Sequence, residues 1–148
     1  MFGLLDFAAG YHQTPLAKAS KALTAFSAVE GLYQWTRVPM GLKGAGPYFQ
    51  RSMSNTVLAG LVYRIGELYI DDVLIHGKNP ETFLANIRKV FERLREFNVA
   101  VNPKKTKLGL AEVEYVGHVV SATGTSFTEK KRLKVLKFPL PETQKNLL

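Results

Sequence analysis

The sequence contains no cysteine, which excludes disulfide bonds and thiolate metal ligands. It also has no apolar run that approaches the roughly 20 residues needed by a membrane-spanning helix. The first residues, Met1 to Asp6, lack the basic segment with which a signal peptide begins, and they reach an acid almost at once. These absences favour a protein that is neither secreted nor embedded in a membrane.

Positive charge is present in excess. Twenty lysines and arginines face 12 acids, so the formal net charge is +8. Such a surplus favours a polyanionic partner such as nucleic acid, although a merely basic soluble domain would carry it too. With 148 residues, 46% of them hydrophobic, the chain has the length and composition of about one domain with a packed core.

Short apolar segments predict strands that pair in hairpins. One such segment, 61–75, is interrupted in its second half by Asp71 and Asp72, and we expect two strands to meet at this acid pair. Another segment is centred on Glu30 and Gly31, as in a β-hairpin. The predicted strands lie in the segments 2–7, 24–36, 61–75 and 113–121.

Two helices are predicted from apolar residues spaced three or four apart. One begins near Pro47 and ends by Gly60, and the other begins at Asn79, a good N-cap followed by proline. The apolar face of the second helix consists of Phe83, Ile87, Val90, Leu94 and Phe97. Strands and helices in this order predict an α+β fold, an antiparallel sheet with helices packed on one face.

The acid pair is the most informative feature of the sequence. Burying ionised carboxylates is costly unless something compensates, although a plain acidic turn at a hairpin tip would leave them in water. Asp6 also ends an apolar strand, and neighbouring strand-borne carboxylates repel unless they share a cation. Hard cations such as Mg²⁺ take oxygen ligands, and a pair of them is a known device for phosphoryl transfer.

Several short motifs follow one another in the order found in one family. These motifs are Leu5 to Gln13, Thr24 to Phe26, Gly31 to Tyr33, Pro39 to Lys43, Phe49 to Arg51, Tyr69 to Asp72, Asn102 to Lys105, and Glu114 to His118. Through these motifs the sequence resembles the reverse transcriptases of Gypsy-type LTR retrotransposons, and the resemblance covers essentially all 148 residues. Gly46 departs from the family, which usually has proline there, so the loop that enters the helix near Pro47 is expected to differ.

The resemblance implies a catalytic centre that holds two Mg²⁺ ions, or Mn²⁺ in their place. Asp6, Asp71 and Asp72 would be the carboxylate ligands, and the backbone carbonyl of Phe7 would complete one shell. Lys105, or its neighbour Lys104, would approach the pyrophosphate and serve as a general acid. The implied reaction is RNA-directed DNA synthesis, in which a primer 3′-OH attacks a deoxynucleoside triphosphate.

The resemblance also implies binding residues. Tyr11 would be a steric gate that excludes the ribose 2′-OH, although a plain core aromatic is the alternative for this residue. The other residues implied to line the nucleotide site are Met40, Gly41, Lys43, Tyr69 and Ile70, and those implied to form the primer grip are Tyr115, Val116, Gly117 and His118.

The implied fold is a reverse-transcriptase palm with part of the fingers. The palm would comprise 1–11 and 45–121. A portion of the fingers and a loop would comprise 12–44, and the start of the segment that leads to the thumb would comprise 122–148. The implied partners are an RNA or DNA template-primer, deoxynucleoside triphosphates and the remainder of a Pol polyprotein, in a cytoplasmic virus-like particle or the nucleus. Both ends look cut, and a helix is expected to begin after Pro139 and Pro141.

Without further fingers and a thumb, we expect this chain alone to bind nucleic acid weakly and to polymerise little. Two alternatives remain open from the sequence. One is a non-catalytic nucleic-acid-binding module or relic of a retroelement, and the other is a structural fragment without activity of its own.

Overall fold

The computed structural model describes residues 1–137, so the helix predicted after Pro139 and Pro141 lies outside the described residues. The strands are β1 (Phe2–Asp6), β2 (Phe26–Ala28), β3 (Gly31–Tyr33), β4 (Gly66–Tyr69), β5 (Asp72–His76), β6 (Lys107–Leu110), β7 (Glu112–Tyr115), β8 (His118–Ser121) and β9 (Gly124–Phe127). The helices are α1 (Lys18–Lys21), α2 (Ala45–Ser52), α3 (Pro80–Glu96) and α4 (Glu129–Leu136), with short 3-10 turns at Gly10–Gln13 and Ala22–Thr24 and a π-helical turn at Met53–Val57.

The largest sheet has four strands in the order β4-β5-β1-β6, and all of its neighbours pair antiparallel. Side chains of a strand alternate between the two faces of a sheet. Leu5 of β1 and Val73 and Ile75 of β5 point to one face, where they pack with Phe49 and Phe83 from α2 and α3 in a single hydrophobic core. This arrangement confirms the predicted α+β fold with helices on one face of an antiparallel sheet.

Helix α3 begins where its sequence predicts. The Asn79 side chain accepts a hydrogen bond from the Thr82 backbone N–H, and the Thr82 hydroxyl accepts one from the Asn79 N–H, which is a reciprocal capping box. Four of the five predicted apolar positions are buried, but the prediction for Phe97 is wrong, since this residue is 40% exposed. Phe97 is the C-cap, where the backbone leaves the helix and turns the side chain away from the core.

Helix α2 begins at Ala45, two residues before Pro47, so Gly46 lies inside its first turn. The helix continues through the π-helical turn to Val57, and the predicted end by Gly60 is confirmed. Residues 61–65 form turns with one isolated bridge from Val62 to Gly66, contrary to the predicted strand, and β4 starts only at Gly66. Their apolar side chains pack against the core from outside the sheet.

Two smaller sheets complete the fold. Strands β2 and β3 form the predicted hairpin, and β7, β8 and β9 form a three-stranded antiparallel sheet. Strands β6 and β9 were not predicted, because each has only four residues, each contains a glycine, and neither contains a buried residue. Within residues 1–137, no helix combines the length and hydropathy that crossing a bilayer demands.

Candidate active site

The antiparallel pairing of β1 and β5 places Asp6 directly opposite Asp72. Leu5 and Phe7 on either side of Asp6 point into the core, so the Asp6 side chain points to the opposite face of the sheet. The same alternation puts Asp72 on that face, because its neighbour Val73 belongs to the core. Two carboxylates from different parts of the sequence therefore lie side by side at the end of two strands.

Asp71 lies in the two-residue turn that joins β4 to β5, because Tyr69 pairs with Asp72. Ile70, the other turn residue, has φ 50°, an uncommon left-handed conformation for a β-branched side chain. The turn is fastened to β1, since the Phe7 N–H donates to the Asp71 carbonyl at 2.9 Å. Strain of this kind persists where surrounding contacts hold it, and it concentrates at functional sites.

Gln50 of α2 holds the other side of this turn, which the sequence did not reveal. Its Nε2 donates to the Leu68 carbonyl at 3.0 Å, and its Oε1 accepts from the Ile70 N–H at 2.5 Å. Gln50 belongs to a motif that carries the family resemblance, but nothing in the spacing indicates which backbone its amide would bind. The side chain thereby satisfies two backbone groups at the strained turn.

Negative charge accumulates at the acids. Burial raises the pKa of Asp71 above its ordinary 3.8, the Asp6 carboxylate raises it further, and Lys105 lowers it. The pKa of Asp72 is also raised, first by burial and then by Asp6 and Asp71. The Lys105 ammonium lies 3.1 Å from Asp6 Oδ2 and offsets part of this repulsion.

One carboxylate oxygen is left without a partner. Among the described residues, Asp71 Oδ1 is buried and accepts no hydrogen bond. It lies beneath Gly10, where a Cβ atom would come within 2.5 Å of it, so only glycine leaves it room. An unpaired buried oxygen among repelling carboxylates is the environment that a cation would relieve.

The donor set fits a hard divalent cation in its chemistry. Asp6, Asp71, Asp72 and the Phe7 carbonyl would supply oxygen ligands only, as Mg²⁺ prefers. Across residues 1–137, however, no three acidic or histidine side chains are gathered closely enough to hold an ion as they stand. The predicted sharing of an ion by the three acids therefore stays a prediction.

The residues implied to bind the nucleotide are spread over three elements. Tyr11 follows β1 in the turn Gly10–Gln13, is partly buried, and packs edge-to-face on Phe49 with the ring centroids 5.5 Å apart. Met40, Gly41 and Lys43 lie on an exposed loop before α2, where Gly41 has φ 92°. Tyr69 and Ile70 adjoin the acids in the β4-β5 hairpin.

The segment implied to be the primer grip forms the β7-β8 hairpin. Its turn residues, Val116 and Gly117, have φ 49° and 71°, as in hairpin turns that match the strand twist. Burial raises the pKa of Tyr115, and the Glu67 and Asp72 carboxylates raise it further. Lys131 of α4 crosses the turn and donates to the Val116 carbonyl at 3.5 Å.

Comparison with known proteins places the chain in a family. Residues 1–120 match the family model described as reverse transcriptase (RNA-dependent DNA polymerase). The chain therefore belongs to the reverse transcriptase family. Its curated relatives include Pol polyproteins of Gypsy-type retrotransposons, as the motifs predicted.

Two of these relatives come from Drosophila melanogaster. The Pol polyprotein from transposon gypsy is 35% identical over 95% of this chain, and that from transposon 412 is 34% identical over 95%. The chain spans only 14% and 11% of these two polyproteins. It therefore corresponds to a small part of each.

Solved structures of foamy viral enzymes share the fold. The protease-reverse transcriptase dRH in complex with double-stranded DNA superposes with a TM-score of 0.84 at 27% identity, over 99% of this chain and 25% of that one. The protease-reverse transcriptase in complex with an RNA/DNA hybrid gives a TM-score of 0.80 at 27% identity, over 99% and 20%.

Proposed function

We propose that this chain is the catalytic core of an RNA-directed DNA polymerase. The observation that carries the proposal is the placement of Asp6 opposite Asp72, with the buried Asp71 Oδ1, which has no hydrogen-bond partner within residues 1–137, in the adjoining turn. The family match supports the reaction class, transfer of a nucleotide from a deoxynucleoside triphosphate to a primer 3′-OH. A merely acidic turn would not bring a distant strand's carboxylate to the same place.

The chain's own residues would perform four tasks. Asp6, Asp71 and Asp72, with the Phe7 carbonyl, would hold two Mg²⁺ ions, which supply charge neutralisation at the reacting phosphates when bound. Lys105, whose ammonium lies 3.1 Å from Asp6 Oδ2, would approach the leaving pyrophosphate and donate a proton to it. The Tyr11 ring would lie under the sugar, and Tyr115 to His118 would hold the primer end.

The nucleic acid would bind over the face that carries the acids. The foamy viral relatives were solved with double-stranded DNA and with an RNA/DNA hybrid, which supports a template-primer duplex as the partner. The net charge of +8 supplies attraction to phosphates. We place the palm in 1–11 and 45–121, a portion of the fingers in 12–44 and the approach to the thumb in 122–148, all within an intracellular Pol polyprotein.

The decisive substitution is Asp71→Asn, tested in a polypeptide that joins this chain to the flanking fingers and thumb segments of a curated relative. We expect primer extension on an RNA template to fall by at least about a thousandfold, because the Asp71 side chain loses its negative charge. Template-primer affinity should change little, since phosphate contacts dominate it.

Glu30→Gln is the matched control, because it removes one carboxylate from the exposed β2-β3 turn. It should leave extension within twofold of the unsubstituted protein. If Asp71→Asn retains activity within tenfold, the proposed catalytic role of the acids is refuted.

A further inference from the structure

The Gln13 side chain makes three hydrogen bonds to backbone groups of two separate segments. Its Nε2 donates to the Ala8 carbonyl at 2.6 Å and to the Ala100 carbonyl at 2.8 Å. Its Oε1 accepts from the Ala100 N–H at 2.7 Å. The amide thus presents a donor and an acceptor to Ala100 as a neighbouring strand would.

These bonds extend the edge of β1 beyond its last residue. The Ala8 N–H donates to the Ala100 carbonyl at 3.0 Å, and the Asn102 N–H donates to the Asp6 carbonyl at 2.8 Å. Between them, Phe7 forms an antiparallel bridge with Val101. Segment 99–102 therefore lies in register along the backbone that carries Asp6, and Gln13 closes the far end of this pairing.

The same segment leads directly to Lys105. The Asn102 carbonyl accepts from the Lys105 N–H at 3.2 Å and from the Thr106 N–H at 3.0 Å, and the Asn102 side chain accepts from the Lys104 N–H at 3.1 Å. This tight turn starts from the residue bonded to Asp6 and ends with the Lys105 ammonium 3.1 Å from Asp6 Oδ2. A shift of segment 99–102 along β1 would carry Lys105 away from the carboxylate.

We propose that Gln13 is a positioning residue that sets Lys105 against the active-site acids by fixing the register of segment 99–102 on β1. The inference rests on the proposed polymerase function for its catalytic consequence. Gln13 touches neither the acids nor Lys105, and it acts through the backbone of Ala8 and Ala100. Gln13, with its three hydrogen bonds to Ala8 and Ala100, is called the clamp below. Since Gln13 is two residues from Tyr11, one short turn holds both the proposed sugar gate and this clamp on segment 99–102.

Amide hydrogen exchange in the 148-residue chain tests the clamp without reference to activity. In Gln13→Leu, which keeps the size but removes all three bonds, the Ala100 and Lys105 amides should exchange about tenfold faster. Gln13→Glu keeps the acceptor for the Ala100 N–H and loses both donors, so Ala100 should stay more protected than in Gln13→Leu. Gln34→Leu is the control, since Gln34 is exposed and makes no side-chain hydrogen bond within the described residues.

A double-mutant cycle in the polypeptide with flanking fingers and thumb segments tests the consequence for catalysis. Gln13→Leu should lower kcat about ten- to a hundredfold with little change in KM for the nucleotide, because the lysine is misplaced. In a protein that already carries Lys105→Ala, adding Gln13→Leu should lower kcat by less than a further threefold, since both changes remove the contribution of the positioned lysine.

The outcomes separate the two proposals. Unchanged exchange at Ala100 and Lys105 in Gln13→Leu overturns the clamp, whatever the activity. If exchange is faster but the kcat losses of Gln13→Leu and Lys105→Ala multiply fully in the double variant, the link to Lys105 is overturned. An inactive unsubstituted polypeptide refutes the proposed function, and the exchange of the Lys105 amide then still decides whether Gln13 positions its segment.

Discussion

The four-stranded sheet and the β2-β3 hairpin are stabilised in different ways. In the sheet, Leu5 and Ile75 are completely buried beneath helices α2 and α3. In the hairpin all six strand residues are exposed, and its contacts are local, such as the Phe26 and Tyr33 rings with centroids 6.0 Å apart. An isolated two-stranded hairpin is marginal in water, whereas a sheet covered by helices has its own core.

The proposed chemistry lies on the well-packed region. All three acids are carried by β1 and by the β4-β5 hairpin, whose backbones are tied to each other and to α2. Catalytic groups need to be held within fractions of an ångström, which a packed scaffold provides. The four-stranded sheet therefore fixes the geometry of the acids, whereas the β2-β3 hairpin depends on further contacts.

The largest predicted effect compares two leucines. Leu5→Ala should lower the free energy of unfolding by about 2–5 kcal/mol, because it leaves a cavity under a fully buried side chain. Leu32→Ala in the hairpin, where the side chain is 75% exposed, should change it by less than about 0.5 kcal/mol. Urea denaturation of the two variants measures both values, and equal losses would contradict the division into a packed and an unpacked region.

The second prediction compares two glycines. Gly10→Ala should lower the free energy of unfolding by about 1–3 kcal/mol. The new methyl group would press on Asp71 Oδ1 at 2.5 Å and on the buried Phe49 ring at 3.0 Å. A Cβ atom on Gly44 would meet no atom of the other described residues within 4 Å, and Gly44 has helical backbone angles. We therefore expect Gly44→Ala to leave the free energy of unfolding unchanged or to raise it by up to about 1 kcal/mol. Thermal unfolding of both variants distinguishes them, and a harmless Gly10→Ala would show that the acid turn is loosely packed.

The smallest predicted effect concerns charge and pH. The pKa values of Asp71 and Asp72 are raised, so the folded state binds protons more tightly than the unfolded one. The free energy of unfolding should therefore fall as pH rises through the range above 3.8. Asp71→Asn should stabilise the chain at neutral pH by about 1 kcal/mol or less, because solvent screens this half-buried group.

The increase in the free energy of unfolding caused by Asp71→Asn should shrink at pH values below the ordinary carboxyl pKa, where the aspartic acid side chain is neutral like the amide that replaces it. Glu30→Gln in the exposed hairpin should show no such gain at any pH. Denaturation curves at several pH values check both statements. A loss of stability in Asp71→Asn at neutral pH would mean that the carboxylate makes favourable contacts that outweigh its repulsion.

Strong local patterns made much of the sheet and the acid site predictable. Asp6 and the Asp71-Asp72 pair each end an apolar strand, and the order of motifs indicated that they belong to one centre. Helix α3 was predictable because its cap, proline and apolar spacing agree with one another. Strands β6 and β9 were not predictable, since each has only four residues, contains a glycine and buries none of its side chains.

The supporting amides were beyond sequence reasoning for a related reason. Gln13 and Gln50 bind backbone carbonyl and N–H groups, which every residue type except proline offers, so no partner residue type marks these contacts. The left-handed conformation of Ile70 was equally hidden, because its residue type disfavours it. Such contacts depend on which segments the completed fold brings together.

The position of Lys131 affects where the chain can be truncated without loss of contacts. The family model ends its match at residue 120, yet Lys131 returns from α4 to the turn at Val116 and Gly117. Its ammonium and last methylene occupy the space that a side chain on Gly117 would fill, 2.7 Å from that carbon position. A protein trimmed at residue 120 would keep every recognisable motif while losing the cover of its last hairpin turn.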